Sequence, residues 1–132
     1  MADGTNLEIV KGIYEAFVRG DIPAVLAVFA PDIEYTEAKG FPTGGTYHGP
    51  EAIVESVFKR LGKEWRGFKA IPEEFLSTGD AVVVLGTYSG TYKATGKSFQ
   101  APFAHVWWLR GGKATHFRQY TDTLLVNEAV KG

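Results

Sequence analysis

Glu37 and Tyr35 are the residues whose types and spacing most directly suggest chemistry. Residues 33–37 read as a short strand, so Ile33, Tyr35 and Glu37 share one face and Glu34 and Thr36 the other. A carboxyl group held on an apolar face has its charged form disfavoured. This raises its pKa towards the range of a general acid or base at neutral pH. The competing reading is an exposed glutamate at a strand end, beside Ala38-Lys39-Gly40. Tyr35, Tyr88 and Gln119 carry donors that could meet a ligand carbonyl or a developing oxyanion, although tyrosines commonly send their hydroxyls to water or backbone. His105, Arg118 and Asp122 could be mistaken for an acid–base array. The strand pairing given below sets them on an outer face, where a structural or interface network is the simpler role. His48, in Tyr47-His48-Gly49, lies in a loop and is expected to be solvated.

The elements that position these residues follow from hydrophobic period and punctuation. Thr5-Asn6-Leu7-Glu8 fits a capping box, and Ile9, Val10, Ile13, Tyr14, Phe17 and Val18 then follow helical spacing up to Gly20. Asp21 caps a second short helix with Pro23 in its first turn and Val25, Val28 and Phe29 on its buried side; Pro31 ends it. Residues 40–49 hold four glycines and one proline and read as a surface loop, with 40–45 a candidate lid over a pocket mouth. Pro50 opens a third helix with Ile53, Val54, Val57, Phe58 and Leu61 inward and Gly62 beyond its end.

From Phe68 the period changes to that of strands. Residues 68–76, 81–93, 98–110 and 113–122 form sequential hairpins, and 123–130 a closing helix. The Gly111-Gly112 turn is the strongest hairpin signal. A two-residue loop there pairs Leu109 with Ala114 and, carried back, Phe103 with Tyr120. One face then holds Pro102, Ala104, Val106 and Trp108 with Thr115, Phe117, Gln119 and Thr121. The other holds Phe103, His105, Trp107 and Leu109 with His116, Arg118, Tyr120 and Asp122. A three-residue Ala94-Thr95-Gly96 loop places Gly86, Tyr88 and Gly90 on the Gln119 face; a two-residue loop reverses them. Helices first and a long antiparallel sheet after them define an α+β fold. Such a sheet coils over the three N-terminal helices into a cone with an apolar interior suited to a small hydrophobic molecule. The convex face, bearing Phe103, Trp107 and Tyr120, then needs cover, and a homodimer through it is expected.

Composition narrows the classes. At 132 residues one domain spanning 1–132 is expected. A net charge of −1 argues against a nucleic-acid footprint. No cysteine is present, which removes thiol nucleophiles and thiolate metal sites, and the three histidines are widely spaced. No cofactor, metal or membrane association is expected, and a cytoplasmic location is.

The succession YEAFVRGDIPAVLAVFAPDIEY, GGTYHGPEAIVESVF, STGDAVVVLGTYSGT, TGKSF and HVWWLRGGKATHFRQYTDT resembles the SnoaL-like branch of the nuclear transport factor 2-like superfamily. That group is similar in fold to ketosteroid isomerase, limonene-epoxide hydrolase and the polyketide cyclases. The resemblance covers nearly the whole chain and implies a cystatin-like α+β roll around a ligand pocket. It implies function only through residues. The isomerase's carboxylate base, eight residues after the Phe ending the second helix, falls on Glu37. Its oxyanion donors, a Tyr on the first helix and a protonated Asp, fall on Ile13, with Tyr14 adjacent, and on Ala104. The epoxide hydrolase's Arg, Asp and Asp fall on Gly86, Tyr88 and Gln119, and its supporting Tyr on Tyr35. The cyclases' acid aligns with Gln119, with Asp122 three residues on. Two readings result. One is a cofactor-independent isomerase or cyclase with Glu37 as base and Tyr35 beside it. The other is a non-catalytic binding protein with the same pocket. In both, Tyr14, Tyr88, Ala104, Phe117 and Gln119 are the expected ligand contacts.

Overall fold

The computed structural model describes residues 2–132, with side chains from residue 5 onward. Helix α1 (Ala2–Arg19) and the short α2 (Ile22–Leu26) precede strand β1 (Phe29–Glu37) and strand β2 (Gly45–His48). A helical run follows: α3 (Pro50–Ile53), a π-helical segment (Val54–Phe58) and α4 (Lys59–Glu64). Four long strands come next, β3 (Trp65–Thr78), β4 (Ala81–Tyr92), β5 (Ser98–Arg110) and β6 (Lys113–Thr121), and α5 (Thr123–Val130) ends the chain.

The α+β expectation holds, with a six-stranded curved sheet in the order β2-β1-β6-β5-β4-β3. The hairpins β3 to β6 are antiparallel, as the turns required, whereas β1 lies parallel to β6. Bulges at Arg66/Lys69, Pro72/Glu74 and Trp108/Leu109 add the local twist and bend that coil such a sheet. The core sits between its concave face and the helices, where Val10, Ile13, Val25, Ile33, Ile53 and Val57 are at most 1% exposed. No helix among the described residues is long and apolar enough to cross a membrane.

Several local expectations are corrected. Helix α1 starts before Thr5, so Thr5–Glu8 is not its first turn. Asp21 does cap α2, accepting from the Ala24 amide at 3.2 Å, but that helix ends at Leu26 and Pro31 lies inside β1. Residues 45–48 form β2 rather than loop, because they pair antiparallel with β1. Gly62 lies within α4. A glycine there costs about 1 kcal/mol relative to alanine without ending a helix that tertiary packing holds.

Two register shifts matter most. The β5–β6 turn pairs Leu109 with Ala114 as expected, but Thr115 is an extra, unpaired residue. His116 therefore meets Trp108, and Phe103 meets Thr121 rather than Tyr120. At the β4–β5 turn, Tyr92 donates its amide to Lys97 O (2.9 Å) around the left-handed Gly96, which pairs Thr91 with Ser98 and Tyr88 with Ala101. Each shift is one residue, and a one-residue shift exchanges faces. Tyr88 and Gln119 consequently share a face as expected, while β5 between them is turned over.

Candidate functional site

The overturned strand rebuilds the interior. Phe103, His105 and Trp107 point inward with Phe117 and Gln119, all under 5% exposed. Ala104 points outward and is not a ligand contact; it pairs with the exposed Tyr120. The proposed outer patch of Phe103 and Trp107 therefore does not exist. Nor do His105 and Arg118 share a face: His105 is buried opposite Gln119, and Arg118 is exposed opposite Val106. Asp122 caps α5, accepting from the Leu125 amide at 3.2 Å, and takes no part in the interior. His48 stays at the surface, 3.5 Å from Glu34.

A cavity of about 570 Å³ lies between the concave face and the helices. Its deep lining holds Tyr35 and Glu37 from β1, Tyr88 from β4, His105 and Trp107 from β5, and Phe117 from β6, with Tyr14 of α1 facing them. Period-2 geometry put Tyr35 and Glu37 on the inner face, and the structure places both there at 4% exposure. Tyr35 stacks on Phe117 with centroids 4.1 Å apart. The mouth lies between Val18 and Ile22, Leu61 and Gly62, and the β3 stretch from Gly67 to Ile71. The segment expected as a lid does not border it. That segment folds inward instead, burying Phe41 and Thr43.

Trp65, Phe68 and Phe58 also line the cavity. Phe58 was legible as an inward helical position, and it packs edge-on to Phe17 and Tyr35. Trp65 was not, because the strand starts earlier than the first clear alternation and the Arg66/Lys69 bulge interrupts the period.

Apart from Trp65 Nε1, which is buried without a partner among the described residues, the hydrogen-bonding groups at the deep end fall into two sets. Across the floor runs a continuous chain. Trp107 Nε1 donates to Tyr14 Oη (2.9 Å), and Tyr14 Oη lies 2.5 Å from His105 Nδ1. His105 Nε2 lies 2.5 Å from Tyr88 Oη, which accepts from Gln119 Nε2 (2.9 Å). Gln119 Oε1 accepts the Ala38 amide at 3.1 Å, so its amide orientation is fixed. Burial pushes the His105 pKa down to about 3 and raises both tyrosines well above their ordinary value. The imidazole is therefore neutral, flanked by neutral phenols.

The second set is at the end of β1. Thr43 Oγ1 donates to Glu37 Oε1, while Oε2 and Tyr35 Oη have no hydrogen-bond partner among the described residues. Burial raises the Glu37 pKa to about 8, with the Thr43 hydrogen bond opposing that shift. Such a carboxyl group can give or take a proton near neutral pH. The positions aligned with the epoxide hydrolase's charged triad hold no charge here. At Gly86 no side chain fits, since a Cβ would meet Ile71 O at 2.2 Å and the Phe103 ring at 2.5 Å.

Residues 10–117 match the SnoaL-like domain, and the chain belongs to that family. It is similar to an NTF2-like protein of Burkholderia thailandensis E264, with 47% identity, a TM-score of 0.94 and coverage of 96% of this chain and 98% of that one. It is also similar to TerC co-crystallised with polyporic acid, at 30% identity, TM-score 0.87 and coverage of 97% and 99%. A putative SnoaL-like polyketide cyclase from Jannaschia sp. CCS1 shares the fold at 18% identity and TM-score 0.85, covering 97% of this chain and 92% of that one. An NTF2-like fold of the small-molecule-binding kind accounts for an enclosed apolar cavity on a coiled sheet.

Proposed function

We propose that the cavity takes a small, mostly apolar carbonyl compound and that Glu37 moves a proton at the carbon beside the carbonyl. One observation carries this reading: a buried carboxyl group with one free oxygen, next to the unpartnered Tyr35 hydroxyl, on the wall of a largely apolar cavity. As carboxylate, Glu37 takes the carbon-bound proton, and a tyrosyl O–H holds the enolate oxygen that forms. Returning the proton to another carbon gives an isomerisation; attack of the enolate carbon on a second carbonyl gives a cyclisation. The co-crystallised acid of TerC supports a small organic ligand in this scaffold. No step calls on a cofactor.

The test is deuterium exchange of the methyl protons of acetophenone, followed by NMR in heavy water. Exchange should speed up as pH rises and level off above about 8, since only the carboxylate abstracts. Glu37→Gln should slow it by about 10²–10⁴-fold. Exchange no faster than in Glu37→Gln would leave the second reading, a non-catalytic binding protein. The loss of both constellations that the resemblance implies favours that reading: Ile13 and Ala104 stand at the isomerase's oxyanion positions, and Gly86, Tyr88 and Gln119 at the epoxide hydrolase's charged ones.

The same scaffold supports a homodimer through the convex face. With β5 turned over, Val106, Trp108 and Tyr120 carry it, joined by Val83 opposite Val106. A dimeric mass at micromolar concentration is the expected result; a monomeric mass overturns it.

A further inference from the structure

The floor chain contains more protons than links. Its four links are Trp107–Tyr14, Tyr14–His105, His105–Tyr88 and Tyr88–Gln119. The indole N–H and the glutamine amide are donors only towards the tyrosines, so both ends of the chain point inward. Between them stand two phenolic protons and the single N–H of a neutral imidazole. Five donors share four links, and one phenolic proton is left without a partner in the chain. Which one depends on the imidazole. With the proton on Nδ1, His105 donates to Tyr14, Tyr88 donates to Nε2, and the Tyr14 proton is spare. With the proton on Nε2, the roles reverse and the Tyr88 proton is spare. Both tyrosines and His105 line the same cavity as Glu37.

We propose that His105 is a positioning residue that selects, by its tautomer, whether Tyr14 or Tyr88 offers the floor chain's one uncommitted phenolic proton to an acceptor oxygen of the ligand. The inference rests on the ligand reading above and narrows it: the deep end of the cavity suits a carbonyl, enolate or phenolate oxygen rather than a second donor. It also accounts for a histidine kept neutral at the centre of an aromatic interior, stacked on Phe103 at 4.1 Å.

Single substitutions should push the tautomer in opposite directions. In Tyr14→Phe the Nδ1 position loses its partner, and a buried N–H without an acceptor costs more than a buried lone pair, so the proton moves to Nε2. In Tyr88→Phe it moves to Nδ1. Each variant keeps one spare phenolic proton, and only Tyr14→Phe with Tyr88→Phe loses both.

The test labels histidine with ¹⁵N to read the His105 tautomer, and titrates carbonyl-¹³C acetophenone into the same samples. The expected results are a neutral ring at pH 6–8, opposite tautomers in the two single variants, and a downfield carbonyl shift on binding in the wild type and in each single variant. The double variant, with Tyr35 as the phenol that remains, should lose most of that shift and bind roughly fivefold to tenfold more weakly. A purely structural chain would give additive losses instead. The same tautomer in both single variants, a charged ring in the wild type, or loss of the shift in one single variant alone overturns the proposal. Should the double variant not fold, the two single-variant tautomers still decide. If acetophenone does not bind the wild type, the ligand class falls, and opposite tautomers would show the selector standing without it; abolished exchange with an intact carbonyl shift would sink only the role of Glu37.

Discussion

Tyr88 and Tyr35 stand on one concave face, equally buried, yet their hydroxyls differ completely. Tyr88 Oη holds two partners in the floor chain, whereas Tyr35 Oη, at the end of β1 beside Glu37, has none among the described residues. Buried polar groups are normally satisfied, because an unpaired one costs about 1–3 kcal/mol. In the floor every polar heavy atom has a partner, with a single phenolic proton left over. On the wall, Tyr35 Oη and the second Glu37 oxygen are left facing the cavity, and among the described residues the buried side-chain polar atom without a partner is Trp65 Nε1, which also lines it; a ligand there would complete the pairing.

At neutral pH, substitutions that break the floor should act mainly on stability, and those on the wall mainly on binding or proton transfer. The largest effect is expected for Trp107→Ala, which empties a fully buried indole site and removes a donor to Tyr14. Denaturant unfolding should show a loss of about 3–5 kcal/mol. Gln119→Leu orphans the Ala38 amide and one ligand of Tyr88. It should lose about 2–3 kcal/mol in the same assay, and a loss under half a kilocalorie would show that the floor is not structural.

The pH dependence of stability sharpens the contrast further. The Glu37 pKa is raised from 4.5 to about 8. Its stabilising contribution is complete below pH 4.5 and is lost as pH rises to 8, because the folded state holds a proton that the unfolded chain releases. The His105 pKa is lowered from 6.5 to about 3. Its contribution is complete above pH 6.5 and is lost as pH falls towards 3. Each slope approaches about 1.4 kcal/mol per pH unit. The two oppose each other between pH 4.5 and 6.5, so the wild type should show a plateau there and fall on both sides. Glu37→Gln should convert the plateau into a rise up to pH 6.5 and remove the fall above it. A stability curve unchanged by that substitution would place Glu37 in contact with water.

The smallest effect is expected for Tyr35→Phe. Its hydroxyl makes no bond to lose, so stability should change by less than about 0.5 kcal/mol, while acetophenone affinity or exchange falls. A loss of stability beyond 1 kcal/mol would reveal a partner and remove Tyr35 from the wall.

Much of this was legible in the chain. Alternation in β1 placed Tyr35 and Glu37 together, the Gly111-Gly112 turn placed the last hairpin, and Asp21 marked its helix start. The unread part has a single cause. One extra residue, Thr115, and a four-residue rather than three-residue connection at 93–96 each displaced the pairing by one. Since side chains alternate, these two small shifts inverted β5. They put His105, Phe103 and Trp107 into the cavity and Ala104 out of it.

Local spacing by itself determined that the chain would build helices, a set of hairpins and one acidic strand end with an apolar side. Those depend on neighbours a few residues apart. Which face of β5 looks inward, and so whether a histidine stands at the centre of the cavity, was decided by pairing between strands. The energy of that choice comes from packing whole faces against the helices, and no short stretch of sequence contains it.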